Sequence, residues 1–165
     1  MKKALLILGA GQYGHVVRET AMAMGCFEQI DFLDDQSTDA VGTCADAQRL
    51  HEQYTDAAVA IGHPGAREKW LLQLESLGYN LPVICHPTAV VMPSARVGKG
   101  CVIEAQVVVN SNAEVGTACL LCAGAVVNHN AQVGHYCQID CRAVVTARSY
   151  VPDGHKVPCG QVFAQ

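Results

Sequence analysis

The segment VMPSARVGKGCVIEAQVVVNSNAEVGTACLLCAGAVVNHNAQVGHYCQIDCRAVVTARSYVPDGHKV, residues 91–157, carries an aliphatic residue at every sixth position without a miss. The series is Val91, Val97, Ile103, Val109, Val115, Leu121, Val127, Val133, Ile139, Val145, Val151 and Val157. Two places earlier the side chain is almost always small: Ala89, Ala95, Cys101, Ala113, Cys119, Ala125, Ala131, Cys137 and Ala143, with Val107 in the same place once. A period of six fits neither a helix at 3.6 nor a lone strand at 2, and repeats of this length form parallel β-helices. Gly98, Gly116 and Gly134 recur every eighteen residues, as do Asn110 and Asn128, so three hexads make one triangular turn. Stacked glycines at one corner are expected to take positive φ. The hexads amount to about four coils, a prism about 19 Å tall at one strand spacing per coil.

Upstream of His86 the pattern changes. Strands are expected at 3–8, 30–33, 57–61 and 82–85, and helices at 12–24, 45–53 and 64–77. Alternating strands and helices predict a small, Rossmann-like parallel sheet covered on both faces. The chain therefore divides into a domain at 1–85 and a β-helix at 86–165, an α/β plus β-solenoid architecture.

At 165 residues the chain is long enough for one ordinary domain or two small ones. Half its residues are hydrophobic but only 5% are aromatic, as a narrow aliphatic interior requires. A net charge of −4, with no cluster of Lys and Arg, argues against nucleic acid or an anionic membrane surface as partner. No run approaches membrane-spanning length, and the apolar run after Met1 is too short for a leader and enters a glycine motif at Gly9. Nine cysteines, mostly at inward positions, fit free thiols in a reducing cytoplasm.

His129 follows the inward Val127 by two places, at a corner, with Ser111 and Ala147 stacked on either side. Flanked by Asn128 and Asn130, it is a candidate general base, although spacing alone favours a solvated turn residue. His135 stacks with Thr117 and Asp153 and reads as surface; His86 and His155 read as junction and last-coil residues. Cys119-x-x-Cys122 and Cys137-x-x-x-Cys141 imitate zinc spacing, but Cys119 and Cys137 face inward while Cys122 joins an outward column with Glu104 and Asp140. No metal site is expected. Cys141 and Cys159 share a column and are expected to stay reduced. Gly9-Ala10-Gly11-Gln12-Tyr13-Gly14, between a strand and a helix, is a nucleotide-binding fingerprint, with Asp34 and Asp35 closing the next strand. A turn that only packs helix on strand remains the alternative. Gly62 permits close approach at a third loop, and Arg67 is placed either on a phosphate or as a solvated helix residue.

These segments together, with Phe32-Leu33-Asp34-Asp35, Ala60-Ile61-Gly62, His86-Pro87-Thr88-Ala89 and Val127-Asn128-His129-Asn130, resemble the PglD/NeuD-type sugar acetyltransferases over essentially the whole chain. The resemblance implies a left-handed β-helix, a homotrimer with active sites between neighbouring prisms, acetyl-CoA as donor and a nucleotide-linked or sialic-acid-type sugar as acceptor. It implies catalysis by His129 with Asn130 beside it, substrate contacts at Gly11, Gln12, Tyr13, Asp34, Asp35 and Gly62, and donor contacts at Gln138 and Ala147. Four positions depart from the family pattern. Asn130 stands where an acid is usual, Gln138 where a second histidine is usual, and Gln12-Tyr13 where Gly-His is usual. Members also continue for more coils than lie before Gln165, so part of the CoA is expected to extend past the prism. A trimeric sugar-binding scaffold without full donor binding is the second reading, and an NAD-linked oxidoreductase the third.

Overall fold

The computed structural model describes residues 3–165, which form an α/β lobe followed by a left-handed parallel β-helix. β1 (Lys3–Leu8), β2 (Phe27–Leu33), β3 (Ala40–Gly42) and β4 (Asp56–Val59) make one parallel sheet in the order β3-β2-β1-β4. Helix α1 (Gln12–Met24) spans the expected residues and stops at Gly25, whose φ of 67° gives a left-handed cap. It buries Gly14, Val17, Thr20 and Ala21, whereas Val16, one residue off that stripe, is 38% exposed. The helix expected at 45–53 is shorter. A 3-10 turn at Cys44–Asp46, capped reciprocally by Thr43 and Asp46, leads into α2 (Ala47–Leu50). β3 was not expected, because three residues are too few to show a period. Helix α3 (Pro64–Ser76) has His63 as N-cap and proline in its first turn.

The strand expected at 82–85 is reduced to β5 (Ile84–Cys85), and it leaves the α/β sheet. Asn80 bridges to the outer strand instead, accepting from the Ala57 N–H and donating to Thr55 O. Ile84 and Cys85 then pair with Val102 and Ile103 as the first rung of the prism. Two-residue strands continue to Val162–Phe163, in three parallel sheets of five, five and four strands.

The inward columns lie where the hexad pattern put them. Val109, Leu121, Val127, Ile139 and Val145 share a core with Cys101, Cys119 and Cys137, all 0% exposed. The thiols of those three cysteines donate to Gly116 O, Gly134 O and Pro152 O, each at 3.0 Å. From Gly100 onward each corner turns through a left-handed residue three places after the inward aliphatic, among them Asn112, Ala118, Asn130, Tyr136 and Arg148. Such backbone is strained for non-glycine residues. It is held because the N–H of that residue donates to the coil before, as from Ala118 to Lys99 O and from Tyr136 to Thr117 O.

The stacked glycines correct the sequence expectation: Gly98, Gly116 and Gly134 do not have positive φ. A Cβ on Gly98 would lie 2.7 Å from the carbonyl carbon of Gly116, and one on Gly116 equally close to that of Gly134. Glycine is required there by the approach of successive coils, not by conformation. The outer side chains Val102 and Leu120 of the first sheet are buried against Leu5, Ile7 and Val17, which docks the α/β lobe on that face. No helix among the described residues is long and apolar enough to cross a membrane.

Since Gly116 sits mid-stack between main-chain atoms that cannot yield separately, Gly116→Ala is expected to destabilise the protein by about 1–3 kcal/mol, the range for overpacking. Thermal unfolding measures it, and a melting temperature equal to wild type would refute the close-approach account.

Candidate active site

Three loops follow β1, β2 and β4 at the same end of the parallel sheet, where α/β folds place ligands. The three motif glycines have separate causes. Gly9 has a φ of 103°, and a Cβ on it would lie 2.9 Å from Ala60 O, so the first and third loops touch. A Cβ on Gly14 would collide with the Gly9 carbonyl, so that glycine seats α1 on β1. Gly11 has a φ of −72° and nothing within 4 Å of its would-be Cβ. Neither strain nor crowding demands glycine at 11, the N-cap of α1, and the space beside it is open to a ligand. Gly62 is in the same position, with open space and no positive φ.

The acidic pair divides in two. Asp34 accepts from the Ala10 N–H at 2.9 Å on one oxygen, and from Gln36 N–H at 2.8 Å and Ser37 N–H at 3.0 Å on the other. These amides, that of Ala10 foremost, hold its carboxyl below the usual range. Asp34 is thus the brace between the first two loops. Asp35 is exposed and accepts from Cys44 N–H at 2.9 Å through one oxygen. Gln12 is exposed at the start of α1. Tyr13 is turned onto the prism, its hydroxyl buried beside Glu104 and Cys122. Burial, then Cys122 and Glu104, pushes its phenol well up.

Arg67 is neither on the surface nor free for a phosphate. It is completely buried, and its donors meet main-chain carbonyls of both lobes.

On the prism, His129 and Asn130 form an exposed corner turn between the second sheet (through Val126–Val127) and the third (through Gln132–Val133). Asn128 Oδ1 accepts from the His129 N–H at 2.7 Å and lies 3.4 Å from Asn110 Nδ2, so the repeated asparagines make a ladder behind the histidine. The His129 ring meets Asn130 through Nδ1, 3.0 Å from the amide Nδ2. With the amide rotated by half a turn, its oxygen accepts from Nδ1–H and leaves the Nε2 lone pair for a proton. Asn130 has a φ of 59°, a conformation that asparagine tolerates better than glutamate. Asn130 N–H donates to Ser111 O, and Arg148 N–H donates to His129 O, so Ser111 and Ala147 flank the histidine as the period required.

Gln138 lies on the first sheet, the prism side opposite the His129 corner, and donates to Asp140 at 2.7 Å; Asp140 also meets Lys156 at 3.0 Å. Within one chain Gln138 and His129 therefore do not meet. His135 is exposed, accepts from the Thr117 N–H at 3.0 Å and donates its own N–H to Asp153. It borders an open groove of about 480 Å³ along the third sheet, with Gln132 and Tyr150. Among the described residues no group of His, Cys, Asp and Glu is arranged to hold a metal, and all nine cysteines are free.

Two features escaped the sequence reading. One is Arg67, whose partners are carbonyls and carry no residue signature. The other was visible at period eighteen: Val90, Val108, Val126, Val144 and Val162 form the whole outer column of the second sheet. Val90 is 48% exposed and Val162 65%.

A triangular left-handed prism, an exposed histidine on its corner and a glycine-loop lobe are the parts of a hexapeptide-repeat acyltransferase. The family model described as the PglD N-terminal domain matches residues 4–74. The acetyltransferase domain of PglB from Neisseria gonorrhoeae, solved with acetyl coenzyme A, is 28% identical with a TM-score of 0.94, covering 98% of this chain and 82% of that one. A histidine-to-asparagine variant of perosamine N-acetyltransferase from Caulobacter crescentus, solved with CoA and GDP-perosamine, is 25% identical with a TM-score of 0.69, covering 96% and 90%. No curated protein sequence matches. The α/β lobe thus matches the PglD N-terminal family model, and the chain as a whole is similar to PglD-type hexapeptide-repeat acetyltransferases.

A carboxyl held below its unfolded value contributes stability that is complete above about pH 4 and is lost as pH falls through the lower folded value. Asp34→Asn is accordingly expected to lower the melting temperature at pH 7, with the gap from wild type closing under acid conditions. An equal gap in acid and at neutrality would remove Asp34 as the brace.

Proposed function

We propose that the protein transfers an acetyl group from acetyl-CoA to an amino or hydroxyl group of a nucleotide-linked or sialic-acid-type sugar, with His129 as general base. The observation that carries this is the exposed His129 ring on a corner fixed by the asparagine ladder, with Asn130 at Nδ1. The acceptor atom attacks the thioester carbonyl as Nε2 removes its proton. The tetrahedral intermediate collapses, its C–S bond breaks, and the CoA sulfur leaves with a proton returned from the imidazolium. An amide at Nδ1 orients the ring without supplying the charge of a carboxylate.

The open glycines Gly11 and Gly62, with Gln12 and Asp35, bind the nucleotide sugar, Asp34 holds their loops in register, and Tyr13 sets the seat of α1 on the prism. Ala147, one coil beyond His129, lines the donor path, and Gln138 of a neighbouring subunit completes it. The assembly is a homotrimer: a column of five valines is an unusual outer face for a sheet exposed to water, and it adjoins the His129 corner. Packing that column against a second copy brings another prism to the histidine. Nine free thiols fit a cytoplasmic setting.

Thiol release from acetyl-CoA with UDP- and GDP-linked amino sugars tests the activity. His129→Ala should reduce it by about 100-fold or more, the low end for a general base. Retention of most of the rate would exclude His129, and no release with any acceptor would overturn the transferase. In sedimentation the wild type should run as a trimer and Val126→Glu as a monomer; a variant that stays trimeric would take the interface elsewhere.

A further inference from the structure

Arg67 is 0% exposed, and among the described residues it forms no ion pair. Its guanidinium donates only to main-chain carbonyls. Nε meets Ala118 O at 2.8 Å, and Nη2 meets Tyr136 O at 2.5 Å and Cys137 O at 3.4 Å, all at one corner of the prism. Nη1 meets Ile61 O at 2.8 Å and Gly62 O at 2.9 Å, in the third loop of the α/β lobe. A buried cation is costly unless its donors are satisfied, and lysine cannot span such a fork. Burial lowers its pKa, yet arginine stays charged.

The two carbonyls of the third loop decide where the adjoining amides point. Every peptide bond described is trans, and in a trans peptide the C=O and the following N–H point in opposite directions. Drawing Ile61 O and Gly62 O onto the guanidinium turns the N–H groups of Gly62 and His63 the other way. Neither amide donates a hydrogen bond among the described residues, and the side-chain space at Gly62 is empty. Successive outward amides favour anionic oxygens.

We infer that Arg67 is a positioning residue that presents the Gly62 and His63 amides to the diphosphate of the nucleotide sugar and locks that loop to the prism. This rests on the nucleotide-sugar reading above and adds the group through which the diphosphate is met. Arg67 touches no substrate; it acts through Ile61 and Gly62. The carbonyls of Ala118, Tyr136 and Cys137 fix the loop to the same prism that carries His129.

The test compares wild type, Arg67→Lys and Gly62→Ala by calorimetric binding of UDP and GDP, by the KM for nucleotide sugar and for acetyl-CoA, and by melting temperature. Both variants should raise the nucleotide-sugar KM by about tenfold, Arg67→Lys by turning away an amide worth roughly one charge-assisted hydrogen bond and Gly62→Ala by filling the space the diphosphate approaches. The acetyl-CoA KM should stay near wild type, and only Arg67→Lys should melt lower. Unchanged nucleotide affinity in both variants, or an equal rise in both KM values, would overturn the role. If Arg67→Lys does not fold, Arg67→Gln takes its place, and failure of both to fold would make Arg67 purely structural. A wild type that binds neither UDP nor GDP would defeat the nucleotide-sugar reading itself, whereas wild-type binding with unaltered variants defeats only the inference.

Discussion

Hydrogen bonding between strands whose paired residues lie eighteen apart is the constraint from which the rest follows. Each coil donates its amides to the carbonyls of a neighbouring coil, as Val126 does to Ala143 and Asn128 to Val145. The left-handed corner residues are held in the same way, so local strain is offset by bonds that exist only when another coil is in place. A column of side chains is thereby a physical object. Inward columns hold Val, Ile, Leu, Ala and Cys because the interior is dry and narrow, and one outer column at a corner allows no Cβ at Gly98 and Gly116.

The candidate site uses one of the regular corners of this frame. His129 and Asn130 occupy a corner where a side chain neither packs inward nor joins a sheet, and the ladder of Asn110 and Asn128 fixes the turn behind them. In the α/β lobe the same logic separates glycines by cause. Gly9 is needed for conformation and Gly14 for packing, whereas the fold makes no demand at Gly11 or Gly62.

Much of this was legible in the residues. The sixfold period set the inward columns and the stacking of His129 between Ser111 and Ala147, and the glycine motif set α1 to its end residues. The failures have definite causes. β3 and β5 are too short to be periodic, and β5 changed sheets because Asn80 bridged to the outer strand first. The glycine stack was read as conformational when it is steric. Asp34 and Asp35 look alike in sequence, yet one is committed to three backbone amides and the other is half free. Tyr13 lies within a nucleotide motif but turns to Glu104, since the helix that carries it packs on the prism.

The sequence by itself determined the period, and with it the triangular solenoid, its aliphatic interior and the exposed corner at 129, because repetition turns local side-chain choices into a global shape. Only the tertiary structure decided how the two lobes meet. The burial of Arg67, the direction of the Gly62 and His63 amides and the separation of Gln138 from His129 depend on contacts between segments distant in the chain. Those contacts are made largely to backbone carbonyls, which every residue possesses and which no one-dimensional pattern can single out.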